Sequence, residues 1–201
     1  MSALAVSMLS SIERAAVLLD PLRLRIVQEL GTGDTSTGIA KKLSLPRQKV
    51  NYHLRELERV GVVELVEERR KGNCLERVVR AVATSYLINP EVLGPLATDP
   101  SLVEDKLSSA YLVAVAAKAI RDLATLRERA TAAGKKLPTL TLQSQVRFAT
   151  AADRNAFAEE LANFLATLAA KYHDDKTPDG RKFEFFVGAY PTITKKSDAA
   201  T

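Results

Sequence analysis

The sequence predicts a helix-rich α+β protein on three observations: three helices within about forty residues, a switch to two-residue periodicity after Gly61, and a long helix followed by a strand–helix–strand pattern. Its 201 residues are 46% hydrophobic and 26% charged, inside the ordinary globular range. The longest apolar run, residues 110–117, is far short of the roughly 20 residues that a spanning helix needs, so no membrane segment is expected. The first twenty residues lack a basic leader and suggest a helix, not a signal peptide. One cysteine, Cys74, excludes an internal disulfide framework and a Cys-rich metal site, and a cytoplasmic protein without cofactor or metal is the expectation.

Each element has a local reason. Leu4, Met8, Ile12, Ala15 and Leu19 recur at helical intervals and predict a first helix. Asp20 as N-cap and Pro21 at the first helical position open a second, with Leu22, Ile26, Val27 and Leu30 inward and Gly31 ending it. Thr35 caps a short third helix containing Ile39, Ala40 and Leu43, and Leu45-Pro46 opens a fourth that lasts until Gly61. Residues 62–88 then alternate around the turn Lys71-Gly72-Asn73, which predicts a β-hairpin with a basic tip.

Three prolines in residues 89–100 mark the expected domain boundary. The predicted organisation is a first domain over 1–90, a linker over 91–100, a helix plus β-α-β domain over 101–190, and a flexible tail over 191–201. In the second domain the helical pattern over 101–135 places Leu112, Val115, Ala119, Leu123 and Leu126 in one seam suited to pairing across a homodimer. Strands are expected at 139–148 and 181–190, flanking a helix opened by Thr150 and Asp153 that buries Phe157, Leu161, Phe164, Leu168 and Tyr172. Phe183, Phe185, Phe186 and Tyr190 put aromatics on both faces of the last strand, so one face must meet another element, a second subunit or a small apolar or aromatic effector.

Charge distribution narrows the function. Residues 1–90 carry 14 basic and 10 acidic side chains, whereas 91–201 carry 15 and 14, so the positive excess is N-terminal, as in a nucleic-acid-binding module attached to a neutral domain. On the fourth helix Val50, Leu54 and Leu57 point inward, and Gln48, Asn51, Tyr52, Arg55 and Arg59 point outward, flanked by Arg47 and Lys49. A solvated face is usually rich in Glu and Lys; this one presents flat amide and guanidinium groups that can pair with base edges. Three helices followed by a basic-tipped hairpin form the pattern of a winged helix-turn-helix, whose last helix enters the major groove while the hairpin touches the adjacent backbone.

The segment running from LLDPLRLRIVQEL through IAKKL and VNYHLRELERVGVV to the Lys-Gly-Asn turn resembles the ArsR-like winged-helix transcription regulators over about residues 10–90. The resemblance implies that Arg47, Gln48, Lys49, Asn51 and Tyr52 face double-stranded DNA, with Arg55 alongside. It implies wing contacts to phosphates from Arg69, Arg70 and Lys71, with Asn73 at the turn. The sequence departs from metal-sensing members, because its third helix reads TSTGIAKKL where they carry paired cysteines.

Other residues have plainer readings. His53 sits on the margin between the inner and outer faces and is expected to bridge helix and turn. Cys74 is a small hydrophobe in the second wing strand, and His173-Asp174-Asp175 belongs to a polar loop. The expected function is a homodimeric, sequence-specific DNA-binding regulator, a repressor rather than an activator, acting on an inverted repeat. Two other classes share parts of this pattern. One is a winged-helix module that binds RNA or protein without reading DNA; the other is an enzyme with an aromatic C-terminal pocket, for which no nucleophile or phosphate-loop signature is present.

Overall fold

The computed structural model describes residues 3–71 and 74–193 and divides into two compact units, Met1–Leu137 and Pro138–Thr201. The first unit begins with β1 (Ser7–Leu9), α1 (Ile12–Leu18), α2 (Pro21–Leu30), β2 (Asp34–Thr35), α3 (Ser36–Leu43) and α4 (Arg47–Arg59). It continues through β3 (Val63–Lys71), β4 (Cys74–Ala81), β5 (Tyr86–Ile88), two 3₁₀ turns and α5 (Ser109–Ala132). The second unit contains α6 (Ala151–Tyr172). The α+β class predicted from the sequence is the observed one.

The helix-turn-helix is built as its caps dictate. Oδ1 of Asp20 accepts the backbone N–H groups of Leu22 and Arg23 at 2.8 and 3.1 Å, and the Arg23 N–H holds the Asp20 carboxyl below its usual value. Thr35 Oγ1 accepts from Gly38 N at 3.1 Å to start α3. Ser44 takes the left-handed conformation, φ 54°, so the chain can turn into α4 within three residues, and Leu45 N closes the turn on Ala40 O at 2.9 Å. Pro46 then opens α4 without a side-chain cap. Ile26 and Leu30, Ile39, Val50, Leu54 and Leu57 converge from the three helices on Val62, Val63 and Val79, and together they form the buried core. Each full burial of such a side chain contributes about 1.5–3 kcal/mol.

The hairpin is one edge of an antiparallel sheet in the order β2-β4-β3. Its register shifts by one residue between Leu65 and Glu67, a β-bulge with a clear electrostatic effect. Beyond the bulge Glu68 faces Arg77 and Arg69 faces Glu76. An unbulged ladder would have set Glu68 against Glu76, and like charges directly opposite are destabilising.

Several expectations are corrected. The first helix begins at Ile12, capped by Ser11, not at Leu4. Residues 7–9 instead pair in parallel with residues 86–88, which buries Leu9, and this long-range ladder overrides the helical spacing of Leu4 and Met8. The second wing strand ends at Ala81, and β5 leaves to make that separate pairing. Residues 91–100 lie inside the first unit as 3₁₀ turns packed against α5; the division falls at Leu137/Pro138. Helix α5 starts at Ser109 because Asp105 Oδ1 accepts from Leu107 N at 2.9 Å and Ser108 supplies the cap.

In the second unit the Thr150–Asp153 capping box forms as expected, with Asp153 N donating to Thr150 Oγ1 at 3.1 Å and Thr150 N to Asp153 Oδ2 at 3.0 Å. Residues 139–148 and 181–190 are not strands in this structure, since a strand exists through its ladder and neither segment has one. Helix α6 buries none of the residues expected to be inward: Phe157, Phe164 and Tyr172 are exposed, and Leu161 and Leu168 are half-exposed. Phe148 and Phe157 meet with ring centroids 5.3 Å apart. Residues 194–201 of the expected tail lie outside the described residues.

Candidate nucleic-acid interface

Helix α4 carries the candidate interface. Val50, Leu54 and Leu57 are buried against the core, which turns Gln48, Asn51, Tyr52 and Arg55 outward, and Arg47 and Lys49 stand exposed in the first turn. The structure brings together these six sequence-predicted positions on one accessible surface. A groove beside them runs between the start of α3 and the wing, lined by Thr35, Ser36, Arg47, Asn51, Arg55 and Arg77. Arg59, the outermost of the outward residues, is tied to Glu13 at 2.6 Å and Glu56 at 3.2 Å and so staples α4 to α1.

His53 bridges two helices, where a bridge between helix and turn was expected. Its Nδ1 accepts from Arg23 Nε at 3.3 Å, which links α4 to α2, and its ring lies edge-on to Tyr52 at 5.3 Å. This contact orients the aromatic next to the outward amides of Gln48 and Asn51.

The wing cations do not act as one cluster. Strand alternation and the observed register put Arg70, opposite Leu75, on the hairpin face that carries Arg77 and Val79, while Arg69, opposite Glu76, is on the other. Arg69 lies 3.7 Å from Glu76 and 3.8 Å from Glu67; Arg70 forms no ion pair among the described residues. Lys71 closes β3 in register with Cys74, and Asn73 lies outside the described residues.

Sequence reasoning missed Glu58 and Arg77. Glu58 accepts the two terminal nitrogens of Arg77 at 2.7 and 3.0 Å, and this fork is what chiefly holds the Glu58 carboxyl below its usual value. The available signal was weak: Glu58 follows Arg55 by three residues on the helix, and Arg77 shares strand parity with Val79 and Ala81.

The remaining candidates are spread out. On α5 the side facing its own unit holds buried Ala114 and Ala124 and Arg121, which donates to Thr98 O at 2.7 Å. The seam of Leu112, Val115, Ala119, Leu123 and Leu126 lies on the opposite side at one hundred degrees per residue. Leu123 and Leu126 are 40% and 43% exposed, and the other three are half-buried. Phe183, Phe185, Phe186 and Tyr190 are all exposed along residues 181–190. Among the described residues no group of acidic, His or Cys side chains is placed to hold a metal, and His173 pairs with Asp175 at 3.0 Å. No helix among them is long and apolar enough to cross a membrane.

Fold and exposed polar face together define a class: a helix-turn-helix domain with a β-hairpin wing. Residues 18–66, from the end of α1 into β3, match the family model described as a helix-turn-helix domain, which supports a DNA-binding regulatory role in general. No curated protein matches the chain.

Proposed function

We propose that this chain is a sequence-specific transcriptional regulator of the ArsR-like kind, a homodimer that represses by occupying an inverted repeat with half-sites about one helical turn apart. The observation that carries this reading is the exposed face of α4. Gln48, Asn51 and Arg55 present planar hydrogen-bonding groups there, flanked by Arg47 and Lys49, on the helix that a helix-turn-helix uses to enter the major groove. Arg70 supplies a wing charge toward the adjacent phosphates, with Arg69 and Lys71 on the same strand.

Two features support dimerisation. Leu123 and Leu126 of the α5 seam are exposed, opposite buried Ala114 and Ala124, and the second unit has no fully buried residue among those described. A small apolar or aromatic effector beside Phe183, Phe185, Phe186 and Tyr190 would act by altering how paired α5 helices set the distance between the two reading helices. The test is genomic immunoprecipitation with the native protein, followed by footprinting on the recovered site. A protected inverted repeat is expected; recovery of RNA, or of DNA without any shared sequence, overturns the assignment.

A further inference from the structure

The reading helix and the wing meet through one carboxylate. Glu58, in the last turn of α4, takes the Arg77 fork from β4; Arg77 Nε donates to Glu68 on β3 at 3.2 Å, and Arg55 reaches the same Glu58 at 3.5 Å. The side chains of Glu58 and Arg77 are only 26% and 22% exposed, so solvent screens this pair less than a surface pair, and two parallel hydrogen bonds fix an orientation as well as a distance. Position in the hairpin makes the fork consequential. From Glu64 to Arg70 on β3, and from Leu75 to Arg77 on β4, no described residue is buried, and the ladder to β2 reaches only as far as Val78, so neither apolar packing nor the third strand sets the inclination of the wing beyond it. Arg77 lies in that outer stretch, and the β-bulge is what places Glu68 opposite it.

We propose that Arg77 is a positioning residue for DNA binding: forked onto Glu58, it sets the wing's inclination to α4 so that Arg70 and the reading face meet the same duplex. The proposal rests on the DNA-binding reading above. It makes a prediction opposite in sign to simple electrostatics. Replacing Glu58 by Gln removes a negative charge beside the interface and, by charge alone, should tighten binding. If the fork positions the wing, the same change loosens it.

The experiment uses the full chain and a mixed-sequence duplex of roughly 30 base pairs, with binding followed by fluorescence anisotropy across a salt series. Glu58→Gln and Arg77→Lys are compared with the parent; Lys keeps the charge of Arg77 but cannot make the bidentate fork. Both variants should bind on the order of tenfold more weakly, with a log–log salt slope reduced by about 0.9, the signature of one lost phosphate contact. In an Arg70→Gln background Glu58→Gln should cost little more, because the contact it governs is already gone. Thermal unfolding checks that each variant is folded, and if Glu58→Gln is not, Arg77→Lys alone decides the matter. Equal or tighter binding by folded Glu58→Gln, or parental affinity and slope in Arg77→Lys, overturns the positioning role and leaves the DNA-binding reading standing. A parent chain that leaves the duplex unbound overturns both.

Discussion

Arg23 Nε donates to His53 Nδ1 at 3.3 Å, so α2 and α4 are joined through an imidazole nitrogen that has to be free of its proton. Arg23 also reaches Val17 O at 3.2 Å and thereby gathers the first, second and fourth helices around one guanidinium. Burial, then the positive charge of Arg23, hold His53 below its ordinary value against an opposing pull from Asp20, with a smaller lowering by Lys49.

Acid should therefore weaken the fold through His53. A histidine whose folded pKa lies below its unfolded value of about 6.5 contributes stability that is complete above that value and is lost as pH falls through the folded pKa. Denaturant unfolding of the parent and of His53→Gln between roughly pH 7.5 and 5.5 should show a steeper loss for the parent. An NMR titration that places the His53 midpoint at or above 6.5 would contradict this account.

On the proposed reading face of α4, Gln48→Ala or Asn51→Ala should cost about 1–3 kcal/mol on a cognate site and little on random DNA, because base-edge hydrogen bonds would be lost while phosphate contacts remain. Both residues are exposed and away from the core, so stability should hardly change. Equal losses on both DNAs would remove the base-reading role.

The wing should respond unequally to neutralisation. Arg70→Gln should lower the log–log salt slope by about 0.9, whereas Arg69→Gln should change it less, because Arg69 is already engaged with Glu67 and Glu76. Anisotropy titrations across a salt series check this; identical slopes for the two variants would mean that both arginines, or neither, contact phosphate.

If α5 pairs across the proposed homodimer, placing Lys at Leu112 and Leu123 should dissociate it and reduce DNA binding while leaving the helix-turn-helix folded. Leu123 is exposed and Leu112 half-buried, both on the side of α5 opposite buried Ala114 and Ala124, so charge there opposes pairing more than it disturbs the core of the helix-turn-helix. Sedimentation reads the outcome, and a variant that remains dimeric would place the pairing surface elsewhere.

The sequence by itself determined the helix-turn-helix, because its signals act within a few residues. Asp20 and Thr35 cap their own helices, Leu45-Pro46 starts α4, and the spacing of Val50, Leu54 and Leu57 selects the face that Gln48, Asn51 and Arg55 must leave exposed. The tertiary structure alone decided everything that depends on a distant partner. The pairing of Ser7–Leu9 with Tyr86–Ile88 turned a helical pattern into strand, and the bulge after Leu65 chose which charges face each other. Glu58 and Arg77 stand nineteen residues apart and meet only when the hairpin folds back on α4. Residues 139–148 and 181–190 have the alternation of strands and no ladder, since periodicity selects the faces of a strand but hydrogen-bonded neighbours must come from elsewhere in space.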